Sequence, residues 1–365
     1  MTDLIHINCR FLSQPITGVQ RYSHELLNQF DTLLEKSSTY KNIEIHCLVP
    51  PETDIKNQWK NMVTKTIGIN RGNIWEQLDL PLYLNGKFLF SPTNTGPFLY
   101  RNQVLTIHDA SVFAVPHAYS LPFKLKHKLI HTNLSRLAKT IITDSEFSRK
   151  ELSCYLKQPI ERFNVIHLAG NHINKIEPDL ETLDKYGLRK KEYILIVASQ
   201  SPHKNLKIAK EAVKLIKSQM KFVFVGGDYQ KVFNKKSEQH TWKNAMILGY
   251  TNDCELKALY QNALGYLFPS YYEGFGLPIL EAMNCGCPVI CARAASLPEV
   301  AGEAALYFNP VNPAEIANAI DKIYFDTKLR DELIRRGYRR ANEFNWQSTA
   351  EATLTTLLAA MKSKA

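Results

Sequence analysis

The sequence predicts an α/β chain built from two parallel-sheet domains. Three observations predict it. Short apolar runs of strand length alternate with helix-like segments, in one series that starts at Leu4–Ile7 and a second that starts at Tyr193–Ala198. A polar, charged stretch from 171 to 190 separates the two series and reads as a linker. A chain of 365 residues is long enough for two sizeable cores. The expected divisions are 1–172, 173–345 and a terminal helix in 346–365.

In order along the chain, Leu4–Ile7 opens as a strand, and 14–27 runs through a turn into a helix. Gly18 lies just before that helix, where a backbone can approach a phosphate or sugar, or where a turn simply needs glycine. Ile43–Val49 is a second strand that stops at Pro50 and Pro51. Residues 52–85 mix polar stretches with Trp59 and Trp75 and carry little pattern. Phe88–Phe90 and Val104–Ile107 read as buried strands, the latter running directly into His108 and Asp109. The end of a strand is where doubly wound sheets place ligand-contacting groups. Phe123–Ala138 is a basic helix with apolar residues at 125, 129, 130, 134 and 137, a helical stripe. Its Lys124, Lys126, Lys128 and Arg136 are either a solvated outer face or a contact for anionic lipid or a lipid diphosphate acceptor. Thr140–Thr143 and Asn164–Leu168 complete the first series, with helix-capping residues at Asp144 and Ser145.

In the second series Tyr193–Ala198 leads through Ser199 and Lys204 into a helix over 205–219. Lys204 therefore sits beside a helix N-terminus at the end of a parallel strand, suited to a phosphate. Phe222–Val225 is the next strand; the glycines after it lack the spacing of a dinucleotide motif. Pro313–Phe325, Thr327–Asn342 and a final segment from Trp346 to about Met361 read as helices.

The most informative stretch follows the apolar run Leu264–Pro269. A glycine-rich loop there enters a helix that Pro278 suits as an opening residue and Gly286 follows. The first turn of a helix leaves N–H groups unpaired and carries partial positive charge, which suits a phosphate. Gly274 and Gly276 let a ligand come close to the main chain. Glu273 lies in the loop and Glu281 inside the helix, so they cannot form an adjacent acid/base dyad. They suit two parts of one elongated ligand, such as a diphosphate flanked by hydroxyl-bearing rings.

The string Tyr272–Met283 (YEGFGLPILEAM) resembles the signature of retaining glycosyltransferases of family 4, which have the GT-B fold. Gly286–Ala292 (GCPVICA) and Leu297–Phe308 (LPEVAGEAALYF) continue the likeness, and bacterial O-antigen and capsule mannosyltransferases are the members it resembles. The resemblance implies two Rossmann-like domains facing a central cleft, with the C-terminal helix crossing back to the first domain. It implies that Glu273 grips donor-sugar hydroxyls near the reacting carbon, that Glu281 holds the ribose, and that His108 contacts the donor sugar. Gly18 falls in the family's glycine loop, Lys204 and Ser199 at its donor diphosphate site, and Tyr250 and Thr251 beside the base. The backbone of Gly274, Phe275, Gly276 and Leu277 would complete the diphosphate site. One departure is Ala198, where many members carry an arginine six positions before the lysine. Front-face attack is implied, with the donor phosphate accepting the acceptor proton.

No Asp-x-Asp pair occurs, and neither a metal nor another cofactor is expected. The resemblance to bacterial mannosyltransferases favours GDP-mannose as donor over UDP-glucose, UDP-N-acetylglucosamine or dTDP-rhamnose, and implies a lipid-linked oligosaccharide as acceptor. The rivals are a non-hydrolysing sugar-nucleotide epimerase and a non-catalytic basic binding protein. The net charge of +10 favours anionic partners, but no nucleic-acid motif or dense basic tract appears. No apolar run approaches the ~18 residues that span a bilayer, and no signal segment opens the chain, so the expected location is the cytoplasm, with peripheral contact at the inner membrane face. Seven cysteines, scattered apart from the last three, argue against a disulfide framework, and Cys285, Cys287 and Cys291 read as buried thiols in a tight helix-to-strand turn rather than a metal site.

Overall fold

Two all-parallel sheets organise the chain in the computed structural model, which describes residues 3–54, 59–199, 201–227 and 244–363. The first sheet contains β1 (Asp3–Asn8), β2 (Ile43–Val49), β3 (Val63–Thr66), β4 (Leu89–Ser91), β5 (Gln103–Thr106), β6 (Thr140–Thr143) and β7 (Phe163–Val165). Their order is β3-β2-β1-β4-β5-β6-β7. The second contains β8 (Tyr193–Val197), β9 (Lys221–Val225), β10 (Ala245–Gly249), β11 (Gly265–Phe268), β12 (Val289–Ala292) and β13 (Ala305–Phe308), in the order β10-β9-β8-β11-β12-β13. The central strands β4, β5, β11 and β12 are buried at every position because helices cover both faces of a parallel sheet, and β11 and β12 are the more apolar.

Each sheet has one point where the order reverses. In the first it lies between β1 and β4, and in the second between β8 and β11. At such a point the loops leaving two neighbouring strands turn to opposite faces and leave a crevice at the strands' carboxyl ends. Lys204 and Glu273 sit on the two loops at the second sheet's reversal point.

The chain divides into two compact units, Met1–Leu168 with Trp346–Ala365, and Ala169–Asn345. The terminal helix Trp346–Lys362 belongs to the first unit: Trp346 is buried with its ring 6.2 Å from that of Tyr22, and Thr349 Oγ1 donates to His167 O at 2.8 Å.

Right-handed crossovers fix which helices share a face. In the first unit the chain moves one way from β1 to β2 through the helix Gly18–Lys36, and the other way through 72–84, Leu121–Leu137 and Glu146–Leu156. The last three therefore share one face of the sheet. Segment 72–84 contains a π-helical turn, Trp75–Asp79, just before Pro81. Proline has no N–H to continue the α-helical ladder, and the turn widens there. The helix expected over 205–219 is shorter, Leu206–Val213. The stripe expected on Leu121–Leu137 splits: Ile130 and Leu134 are buried, whereas Leu125 and Leu129 face solvent. Cys285, Cys287 and Cys291 are buried free thiols, each pKa pushed up by burial.

Candidate active site

The reversal point of the second sheet brings two loops together. The loop after β8 ends in a 3-10 turn, Pro202–Lys204, and the loop after β11 runs through Glu273 to Gly276. Tyr271 N donates to His203 O at 3.0 Å and ties one to the other. Asn205 adopts a left-handed φ of 56° and donates through Nδ2 to Pro269 O (3.2 Å) and Pro310 O (2.7 Å). These bonds set the height of Lys204. Its Nζ donates to Glu273 Oε1 at 2.6 Å and lies 5.6 Å from the centre of the Phe268 ring. Both side chains retain some exposure, 20% for Lys204 and 13% for Glu273.

Glu273 is held from behind by a residue that the sequence pattern did not single out. The Ser296 hydroxyl is fully buried and lies 2.9 Å from both the Glu273 and Phe275 carbonyls. It has one hydrogen to share between them, so it pins the loop at two adjoining points. Gly276 then takes φ +105° and starts the helix Leu277–Asn284, with Pro278 in its first turn. A Cβ on Gly276 would come 2.9 Å from Leu297 Cδ2. Glycine is therefore required there both by conformation and by space. Gly274, Phe275 and Leu277 lie on the same loop and helix start, the latter two buried.

Glu281 sits one turn further along that helix, nearly buried, and is already engaged. His172 Nε2 lies 3.2 Å from its Oε1, and the Tyr260 hydroxyl donates to Oε2 at 3.3 Å. His172 reaches it because Gly170 packs against the helix: a Cβ there would meet Leu280 C at 2.6 Å. Neither His172 nor Tyr260 carried a sequence signal. Ser199, exposed, accepts a long bond from Ser201 N at 3.5 Å. Tyr250 and Thr251 follow the edge strand β10 rather than β8 or β11; Tyr250 is exposed, and Thr251 is buried with no hydrogen-bond partner for its hydroxyl.

In the first unit His108 follows β5 and is buried. Its Nδ1 is 2.8 Å from Asp144 Oδ2 and its Nε2 is 3.1 Å from Pro92 O. Both ring nitrogens face oxygen acceptors, which only the doubly protonated ring satisfies. Burial opposes the charge, but the Asp144 carboxylate and its hydrogen bond, Asp109 and the Pro92 carbonyl outweigh it and raise the pKa above 6.5. A ligand hydroxyl would have to take the place of the Pro92 carbonyl. Asp109 caps the next turn, accepting from Ser111 N at 2.7 Å. Gly18 is the exposed first residue of its helix, and the space a Cβ would occupy there is open, with no atom within 4 Å. Lys126 and Arg136 are exposed, Lys124 and Lys128 half-buried, and Lys128 Nζ lies 5.2 Å from the centre of the Phe113 ring.

The first sheet's reversal point holds a polar network in the stretch with little sequence pattern. Glu76, buried inside the π-helical turn, accepts through Oε1 from Asn8 Nδ2 (2.8 Å), Arg10 Nε (3.2 Å) and Thr95 Oγ1 (3.0 Å). Its partners come from the ends of β1 and β4, and only the folded topology brings them together.

Residues 180–340, which carry the second sheet's site, match the family model of glycosyl transferases group 1. The chain carries a group 1 glycosyltransferase domain. The chain is 29% identical to O-antigen chain mannosyltransferase B of Escherichia coli over 375 residues, covering 94% of this chain and 96% of that one. Among solved structures it resembles sucrose-phosphate synthase from Thermosynechococcus elongatus (TM-score 0.76, 18% identity, 99% and 100% of the two chains). It also resembles HepE from Anabaena, solved with UDP and glucose (TM-score 0.73, 16% identity, 98% and 100%). The fold is GT-B.

Proposed function

We propose that this glycosyltransferase moves a hexose, with retention of configuration, from a nucleoside diphosphate sugar to a lipid-linked oligosaccharide of a bacterial surface polysaccharide. GDP-mannose is the favoured donor. The observation that carries the reading is the Lys204–Glu273 pair, 2.6 Å apart at the reversal point of the second sheet and beside the N-terminus of Leu277–Asn284. A cation, a carboxylate and the positive end of a helix at one crevice suit a ligand with an anionic linker and a polyhydroxylated ring. The mannosyltransferase name of the Escherichia coli relative supports mannose as the sugar.

In this reading the donor separates the pair. Lys204 turns to the diphosphate, sharing its charge with the N–H groups of Gly274 to Leu277 and with Ser199, while Glu273 accepts from sugar hydroxyls. Glu281 exchanges a partner for the ribose, and Tyr250 and Thr251 lie toward the base. The departing diphosphate is stabilised by Lys204 and the helix end, and its phosphate oxygen receives the acceptor proton. With Ala198 in place of an arginine, Lys204 carries most of the side-chain charge. No metal is assigned a step.

Radiolabelled GDP-mannose, UDP-glucose and dTDP-rhamnose, each supplied with a lipid-linked acceptor, test the reading. Transfer from GDP-mannose giving an α-linked product is expected. Release of a free epimerised sugar nucleotide without acceptor would replace the reading with epimerisation.

A further inference from the structure

A groove of about 970 Å³ runs along the helix Pro313–Phe325 on the second unit. It opens because the helix expected over 205–219 stops at Val213. Asp321 takes hold of the chain that leaves it: Lys217 N donates to Oδ2 and Ser218 N to Oδ1, each at 3.2 Å, and the Ser218 hydroxyl donates to Oδ1 at 3.0 Å. Ala314, Ala317, Asp321 and Phe325 share one helical face, so the floor extends for about three turns, ~16 Å, and is low where the alanines stand. Leu215 and Phe325, 51% and 67% exposed, line it.

The charge of the groove is one-sided. Lys217, Lys322 and Lys328 line it, and none has a carboxylate partner among the described residues. Its two acids are occupied by main-chain N–H groups, Asp321 by those of 217 and 218, and Asp326 by Leu329 N at 2.9 Å, where it caps the next helix. Apolar surface inside an unneutralised positive rim suits an apolar side chain set among carboxylates.

The same unit carries that complement. Within the stretch the sequence marks as a linker, residues 177–184 hold four acidic residues and no basic one, with Leu180 at their centre, 86% exposed. Glu177, Glu181 and Asp184 are exposed, and the following Lys185 is taken by Glu255 at 2.5 Å. Asp179 N donates to Cys254 O at 3.1 Å and Lys257 Nζ to Ile176 O at 2.6 Å, which fastens this acidic knob to the helix Asp253–Asn262. The chain passes one way from β8 to β9 through Leu206–Val213 and the other way from β10 to β11 through Asp253–Asn262. Right-handed crossovers therefore put those two helices on opposite faces of the sheet. Pro313–Phe325 packs beside Leu206–Val213, so knob and groove face away from each other and one copy cannot fill its own groove.

We propose that the knob around Leu180 docks in the groove beside Phe325 of a second copy of this chain, with the leucine as apolar anchor and the carboxylates against the lysines. Because the two surfaces differ, the contact is head-to-tail and builds a ring or an open row of copies. The inference stands on these two surfaces and not on the donor reading.

Sedimentation velocity tests it. Between about 1 and about 100 µM in low salt the wild type should form species heavier than one chain, in proportion to concentration, and Leu180→Gln should weaken association about tenfold. Glu177→Lys with Glu181→Lys makes the knob basic, and Lys322→Glu with Lys328→Glu makes the groove acidic. Each of these proteins alone should stay monomeric, whereas an equimolar mixture should associate, because each then offers the other a surface of opposite sign. Thermal unfolding of each shows that it is folded. A wild type that stays monomeric at about 100 µM overturns the proposal. So do charge-reversed variants that associate alone as the wild type does, or a mixture of the two folded variants that stays monomeric. If either charge-reversed protein has no unfolding transition, Leu180→Gln decides, and undiminished association there overturns the proposal.

Discussion

Lys204 and Glu273 hold each other at 2.6 Å across the point where the second sheet reverses direction. Each is the other's counter-ion until a ligand supplies better ones. A diphosphate competes for the lysine and a sugar ring for the carboxylate, so both rearrange on binding one molecule. Glu273→Ala should lower kcat about a hundredfold or more while nucleotide still binds, because the lysine is released rather than lost. Steady-state kinetics alongside nucleotide titration checks this.

Ser296 acts through the loop and touches no reacting atom in this scheme. Replacing it with alanine removes one buried donor from the carbonyls of Glu273 and Phe275. A loss of about 1–3 kcal/mol of stability is expected. The kinetic signature should be a fall in kcat of about tenfold with Ser296→Ala, restored in part by Ser296→Thr. A purely structural role would lower the unfolding midpoint and leave kcat per folded molecule intact.

Glu281 is already held by two partners, His172 and Tyr260. Glu281→Gln keeps a group that can bond to Tyr260 and should mainly raise the donor KM, by about tenfold. Glu281→Ala should also lower stability, because it leaves the buried Tyr260 hydroxyl without an acceptor. Comparing the two variants by kinetics and thermal unfolding separates binding from folding.

Histidines of the first unit set its response to acid. Burial lowers the pKa of His6, His24, His127 and His131, that of His127 to about 4 and of His131 to about 3. A lowered histidine contributes stability that is fully present above 6.5 and lost as pH falls toward its folded value. His108 is raised and works the other way: its contribution is present below 6.5 and lost as pH rises through its folded value. Four lowered groups oppose one raised group, so stability should be lower at pH 5 than at 7.5. His131 alone would account for about 2 kcal/mol between pH 6.5 and 5. Urea unfolding at the two pH values should show the difference, and His131→Gln should reduce it.

The parts of the site that lie close together in sequence were legible there. Glu273, the two glycines and Glu281 fall within nine residues, and their loop-then-helix order follows from local chemistry alone. Lys204 was legible because it follows a strongly apolar strand. Ser296, His172 and Tyr260 were not, because a serine behind a loop carries no local pattern and its partners are set by packing. The Glu76 network was hidden for a further reason: its members come from three distant segments that meet only through strand order. Leu125 and Leu129 fitted an inward stripe by spacing. Periodicity finds an apolar face but does not say which of two apolar faces the sheet takes.

Isothermal titration with GDP, UDP and dTDP, on the wild type and on Lys204→Ala, tests the central claim most directly. The account predicts that GDP binds and that loss of the lysine weakens it about tenfold or more, since one charged contact to a diphosphate is removed. Equal affinity in both proteins, or no binding of any of the three, would contradict the assignment of this crevice as the donor site.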